Sequence, residues 1–154
     1  MVGIRPAVPD DIDAVLLLEA ATPEAPHWQR VIYEDFLFSN SPVKRLFVAE
    51  NDGRISGFIA GQIVAEICEL QSIVVSASAR RTGLGIALLA TFMEWAQKNR
   101  AARVELEVRA GNDVAISFYG RSGFQKDGLR RSYYQHPEED GVLMSAALNT
   151  QSGA

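Results

Sequence analysis

A single cysteine, Cys68, and two histidines, His27 and His136, leave the chain without a disulfide framework or a His/Cys cluster at metal-ligand spacing. Neither a stapled fold nor a bound metal is expected. No apolar run approaches the roughly 18 residues of a membrane-spanning helix, and "MVGIRPAVPD" lacks the basic-then-apolar pattern of a secretory leader, so a cytoplasmic protein that binds no membrane is expected. A large excess of charge of one sign is also missing. Fifteen Lys and Arg against nineteen Asp and Glu give a net charge of −4, which disfavours nucleic acid as a partner. Repeats and low-complexity segments are missing, and no feature assigns an oligomeric state. What remains is an ordinary globular composition, 47% apolar and 22% charged over 154 residues. A chain of this length buries about two-thirds of its unfolded surface, so one domain is expected over 1–150, with a loose tail at 151–154.

"VGIRPAV" followed by "PDDIDAVLLLEAA" reads as a strand and then a helix capped by Asp10 or Asp11. "HWQRVIYEDFLFS" reads as a second, less regular helix. "NDG" between "KRLFVAE" and "RISGFIAGQIVA" predicts an antiparallel hairpin, and "EICELQSIVVS" is the next strand. Leu84, Leu88, Phe92 and Trp95 recur at helical steps. "ARVELEV" is then a strand, and "NDVAISFYGRSGF" a helix capped by Asn112 and ended at Gly123. Two closing strands follow, "FQKDGLRRSYY" and "GVLMSAAL". The order predicts an α/β domain with a mixed sheet, its N-terminal section antiparallel and helices on both faces.

Chemistry concentrates first in "SARRTGLGIALL" (78–89), where arginines and glycines stand between a strand and a helix. Glycines admit a ligand close to the backbone, and a helix N-terminus presents unpaired N–H groups, so the turn suits a phosphate. The nucleotide-hydrolase loop would need Lys then Ser or Thr after its last glycine, but Ile86 and Ala87 follow Gly85. A dinucleotide fingerprint would need a third small residue where Leu88 stands, although Glu105 lies about 20 residues beyond. "RRTGLG", that is Arg80, Arg81, Thr82, Gly83, Leu84 and Gly85, resembles the Arg/Gln-x-x-Gly-x-Gly/Ala signature of the GCN5-related N-acetyltransferases, the GNAT family. The element order is similar along nearly the whole chain. "ELEVRAGNDVAISFYGRSGF" and "RRSYY" resemble the ribosomal-protein N-terminal alanine acetyltransferases of the RimI type within it.

The resemblance implies a GNAT fold whose splayed central strands hold acetyl-CoA. It gives the pyrophosphate to the N–H groups from Arg81 to Ile86, and the pantetheine arm to the strand Ile73, Val74 and Val75, with main-chain contacts from Ile73 and Val75. It implies Glu107 as general base, Tyr119 as the acid that protonates the thiolate, and Asn112 as a CoA contact. Glu69 is a rival base, at the position used by histone-type members. His27 and Trp28 match part of the acceptor groove, and Tyr133 and Tyr134 the tyrosine pair of peptide-acetylating members, in the loop before the last strand. Other readings of these residues stand beside it. Strand alternation puts Glu105 and Glu107 opposite Val104, Leu106 and Val108, so Glu107 could instead pair with Arg103 or Arg109. Tyr119 could be a core aromatic, Asn112 a cap alone, His27 and Trp28 packing residues, and Tyr133 and Tyr134 exposed loop rings. Cys68 has no nearby His in sequence and reads as a buried thiol rather than an acyl carrier.

The implied function is acetyl transfer from acetyl-CoA in a direct ternary complex. The implied acceptor is a protein N-terminus, the N-terminal alanine of a small-subunit ribosomal protein. A small-molecule amine, or a CoA-binding regulatory module without catalysis, is the alternative.

Overall fold

The computed structural model describes residues 2–38, 43–135 and 138–148; the tail expected at 151–154, and His136, lie outside them. Strand β1 (Gly3–Pro6) leads through a short 3₁₀ turn (Pro9–Asp11) into α1 (Ile12–Ala20) and α2 (Arg30–Phe38). Three strands follow, β2 (Val43–Asn51), β3 (Arg54–Val64) and β4 (Ile67–Val75), then α3 (Leu84–Lys98), β5 (Arg103–Arg109) and α4 (Asp113–Arg121). Strands β6 (Gln125–Tyr134) and β7 (Glu139–Ala147) complete a seven-stranded sheet of order β1-β2-β3-β4-β5-β7-β6. Among the described residues no helix is long and apolar enough to cross a membrane.

Local chemistry accounts for most of these boundaries. Asp52 and Gly53 both take positive φ, 53° and 80°, the tight turn that matches strand twist and closes the β2–β3 hairpin. Helix α2 begins at Arg30 rather than His27. His27 lies in the left-handed region (φ 59°), outside the helical conformation, and the first turn bond runs from the Ile32 N–H to Gln29 O at 3.0 Å, while the Trp28 N–H goes to the Glu19 carboxylate at 3.0 Å. Asp11 occupies the position before α1, yet its carboxylate makes no capping bond to the helix. Instead it accepts both Arg5 Nη atoms, at 2.7 and 3.0 Å, and the Val8 N–H at 2.8 Å, which ties β1 to the 3₁₀ turn.

The Arg5 guanidinium holds the Asp11 carboxyl below its ordinary range, against the opposing effect of burial. A depressed folded-state value adds stability above the unfolded pKa of about 3.9, and that stability is lost as pH falls through the folded value. Asp11→Asn should therefore lower stability at pH 7 by about 1–2 kcal/mol, allowing for the partial exposure of Arg5. In urea titrations the gap should close as the pH drops below about 4. A gap independent of pH would assign the effect to packing instead of charge.

Two apolar layers sandwich the sheet. On one face α1 and α2 bury Ile12, Val15, Tyr33 and Phe36 against Leu46, Val48, Phe58 and Val74. On the other, Leu84, Leu88, Phe92 and Trp95 of α3, with Tyr119 of α4, pack on Ile59, Ile63, Leu70, Val104 and Leu106. Cys68 is fully buried in this layer, and burial pushes its thiol up to about 12, which suits a core residue and not an acyl carrier.

Two irregularities at the centre prepare the site. Strands β4 and β5 run parallel but pair only at Ile67↔Arg103, Cys68↔Val104 and Glu69↔Glu105. Beyond that point β4 stays with β3 and β5 with β7, so a wedge opens between them. In β4 the register passes from Gly61↔Leu70 to Ala60↔Ser72, leaving Gln71 as a bulge. Cys68 and Leu70 before it face the α3 layer; after it Ile73 and Val75 do, while Val74 turns to α1 and α2.

Candidate active site

The turn between β4 and α3 is an array of donors. Arg81 (φ 65°) and Gly83 (φ 84°) are left-handed, and the first bond into α3 runs from the Ala87 N–H to Gly83 O at 3.0 Å. Among the described residues, no hydrogen bond of good geometry takes the N–H groups from Arg81 to Ile86. Thr82 Oγ1 donates to Ala79 O (2.5 Å) and Arg80 Nε to Val75 O (3.4 Å), which anchors the turn to the end of β4. A Cβ at Gly83 would meet nothing within 4 Å, so the glycine serves its backbone conformation and leaves the mouth of the turn open. Donors at a helix N-terminus, open space before them and two arginines fit a pyrophosphate, and the β4–β5 wedge fits an extended arm. A cleft of about 250 Å³ between α3 and α4, lined by Ile86, Leu89, Met93, Phe118 and Arg121, adjoins the turn. Nothing local in "SFYGR" marks Phe118 and Arg121 as lining residues, because α4 meets α3 only in the folded chain.

Glu69, Glu105 and Glu107 project from the sheet face that α1 and α2 cover in part. Glu69 is exposed and accepts Gln62 Nε2 at 2.7 Å. Glu107 is different. Its side chain is only 22% exposed; Oε1 lies 3.5 Å from Arg130 Nε, and Oε2 is buried without a hydrogen-bond partner among the described residues. The ion pair considered with Arg103 or Arg109 is not formed. Arg103 pairs with Glu105 (2.6 Å) and Arg109 with Glu139 (3.3 Å), while the partner of Glu107 comes from β6, brought near by the sheet order β5-β7-β6. Gly141 of β7 makes room for this arrangement: a Cβ there would stand 3.3 Å from both Glu107 Oε2 and Tyr133 Cδ2. A glycine opening "GVLMS" was the available signal for Gly141; for Arg130 there was none beyond its charge.

The tyrosine pair lies at the end of β6, not in a loop. Ser132 takes a left-handed φ of 51° and gives its N–H to Asp140 at 2.8 Å, which breaks the β6–β7 register between Arg130 and Tyr134. The Tyr133 and Tyr134 rings meet edge-on at 5.1 Å. The Arg130 guanidinium lies 5.1 Å over Tyr133 and that of Arg109 4.5 Å over Tyr134.

Tyr119 is set by the end of α4. The Gly123 N–H reaches Gly120 O and the Phe124 N–H reaches Tyr119 O, with Gly123 left-handed (φ 100°), so the helix closes in a Schellman motif. The contact that accompanies this motif is the Tyr119–Phe124 ring pair at 5.5 Å. Burial, then the neighbouring Tyr134, hold the Tyr119 phenol above its ordinary value. Tyr134 is raised too, by burial first and then by Glu107 and Tyr133. A phenol with a raised pKa keeps its proton at neutral pH, as an acid must.

The remaining residues divide. Asn112 Oδ1 accepts the Ala115 N–H at 3.1 Å, a helix cap. Trp28 packs on Phe36 and Tyr33, with centroids at 5.9 and 5.3 Å. Neither His27 nor Trp28 shares a ring contact or hydrogen bond with Tyr133 or Tyr134 among the described residues. Among the described residues no group of three or more His, Cys, Asp or Glu is placed to hold a metal ion.

Comparison with known proteins agrees with this architecture. The profile of the acetyltransferase (GNAT) family matches residues 13–124. A Bacillus subtilis (strain 168) protein provisionally named a [ribosomal protein bS18]-alanine N-acetyltransferase is 30% identical over 140 residues, 91% of either chain. The [ribosomal protein bS18]-alanine N-acetyltransferase of Escherichia coli (strain K12) is 33% identical over 105 residues, 67% of this chain and 71% of that one. The crystal structure of the ribosomal-protein-S18-alanine N-acetyltransferase from Escherichia coli superposes with a TM-score of 0.84 at 28% identity, covering 96% of this chain and 94% of the other. With the strand wedge, the donor-lined turn and these matches in agreement, the chain belongs to the acetyltransferase (GNAT) family and is an N-acetyltransferase of the RimI type.

Proposed function

We propose that this enzyme acetylates the free N-terminal amine of a protein in the cytoplasm, using acetyl-CoA in a direct ternary complex. The acceptor that the names of its relatives suggest is the N-terminal alanine of a small-subunit ribosomal protein. The observation that supports the reading best is the buried Oε2 of Glu107 beside the tyrosine pair, a proton acceptor that no donor among the described residues occupies. Acetyl-CoA, when bound, supplies the activated thioester carbonyl. The N–H groups from Arg81 to Ile86, with Arg80 and Arg81, hold the pyrophosphate, and the main chain of Ile73, Val74 and Val75 lines the arm. Glu107 removes the proton of the incoming ammonium, and Tyr119 Oη returns a proton to the departing sulfur. Asn112 lies at the cofactor side, while His27, Trp28, Tyr133 and Tyr134 bound the acceptor. An α-amino group, with a pKa of about 7.7 to 8.0, needs only a modest base, whereas Lys near 10.4 needs a much stronger one.

Mass spectrometry of peptides and small amines incubated with enzyme and acetyl-CoA tests the acceptor. An acetyl group on the α-nitrogen of alanine-terminated peptides is expected. Acetylation confined to small amines would overturn the acceptor, and binding of acetyl-CoA without transfer to anything would mark a regulatory module. Acetyl-CoA should also raise the melting temperature where NAD and ATP do not, since a ligand at 100 times its Kd adds about 2.7 kcal/mol. Gly83→Val should weaken CoA binding more than Arg81→Ala. The valine must adopt a left-handed backbone and places a branch at the mouth of the donor array, whereas Arg81 is one charge among several donors. Calorimetric Kd values in the reverse order would show that charge dominates.

A further inference from the structure

Beneath α1 and α2 lies a polar chain that the chemistry above leaves unused. Glu19 of α1 is 2% exposed, and its Oε2 accepts the Tyr33 hydroxyl at 2.5 Å and the Trp28 N–H at 3.0 Å. Tyr33 is fully buried, edge-on to Phe58 of β3 at 5.8 Å. Beside its hydroxyl stands Ser72, whose buried Oγ makes no hydrogen bond of good geometry among the described residues. Ser72 immediately follows the bulge residue Gln71 and lies three residues beyond Glu69, the last residue of β4 to pair with β5. The chain therefore runs from the α1–α2 linker to the point where the wedge opens.

A buried carboxyl is costly, and an apolar pair of similar volume would hold two helices to a sheet at least as well. What an apolar pair could not do is grip the Trp28 amide. Among the described residues the other backbone bonds of that linker are local, Ala21 N–H to Leu17 O, Thr22 N–H to Glu19 O, Ala25 N–H to Thr22 O and, where α2 begins, Ile32 N–H to Gln29 O; none of them involves His27 or Trp28. At its far end His27 is left-handed and Trp28 is seated on Phe36 and Tyr33, a conformation that the Glu19 bond secures.

We infer that Glu19 and Tyr33 are positioning residues for the acceptor: their hydrogen bond, continued to the Trp28 amide, clamps the linker that carries His27 and Trp28 against β4 at Ser72. Acceptor affinity, and not cofactor affinity, depends on the clamp. This rests on the proposed placing of His27 and Trp28 at the acceptor side.

Tyr33→Phe removes only the hydroxyl and keeps the ring contacts. In the acceptor-free protein, amide hydrogen exchange at 21–29 should quicken about tenfold while β4 exchanges as in wild type. In steady-state assays with an alanine-terminated peptide, KM should rise about five- to tenfold, with kcat within about threefold and the acetyl-CoA Kd within about twofold. Glu19→Gln keeps the shape and one acceptor oxygen, so its KM should be intermediate. Unchanged exchange in Tyr33→Phe would overturn the clamp, and quickened exchange with an unchanged KM would overturn its role in acceptor binding. If wild type acetylates no peptide, the proposed acceptor fails by itself; exchange still decides the clamp, and the KM for whatever amine is accepted decides its role.

Discussion

Replacing Glu107 with glutamine should lower acetyl transfer by about 10²- to 10⁴-fold while leaving the acetyl-CoA Kd within about twofold of wild type. The amide preserves the shape that fits beside Gly141 and Tyr133, but it cannot take a proton at the buried Oε2. Because the acceptor amine loses its own proton as pH rises toward about 8, turnover of the variant should partly recover there. Tyr119→Phe should behave differently. Its defect should shrink with an acyl donor whose thiol has a lower pKa, since such a thiolate leaves without help. Glu69→Gln, measured alongside, is expected to lose little, because Glu69 is exposed and already bonded to Gln62. A pH–rate profile for each variant decides the matter. Wild-type turnover in Glu107→Gln, with collapse in Glu69→Gln, would place the base on β4.

The second large effect is on folding and arises at Gly61. A Cβ there would lie far inside van der Waals contact of Glu69 O and Phe92 Cζ, and 2.7 Å from Phe92 Cε1. The ring could turn aside at some cost. The Glu69 carbonyl cannot, because it belongs to the strand that bulges two residues later at Gln71. Gly61→Ala should therefore cost about 3 kcal/mol, the upper end of the usual range for overpacking. Adding Phe92→Leu should recover only the part due to the ring, and a double-mutant cycle in urea separates the two. Stability of the single variant within about 0.5 kcal/mol of wild type would show that the bulge yields easily.

The order of elements, the Asp52–Gly53 hairpin and the turn around Gly83 were legible in the chain because each is governed by neighbours in sequence. The alternation of Val104, Leu106 and Val108 against Glu105 and Glu107 is of the same kind, since it follows from the pleat alone. So is the end of α4 at Gly123, where a left-handed residue closes the helix. Resemblance added the names of Glu107, Tyr119, Tyr133 and Tyr134, but not how they meet. Local rules misjudged Asp11, whose carboxylate is claimed by Arg5, and the start of α2, which follows the left-handed backbone at His27.

By itself, then, the sequence determined which segments become strands and helices and where the glycine turn ahead of α3 falls, since backbone propensity and side-chain period act over a few residues. Only the tertiary structure decided that Arg130 stands by Glu107, that a Cβ would collide with the Glu69 carbonyl at Gly61 and be tight at Gly141, and that Glu19 and Tyr33 lie buried against β4. Those facts come from sheet order and the bulge at Gln71, which bring together residues tens of positions apart. The contacts they create depend on distances that no short stretch of sequence contains.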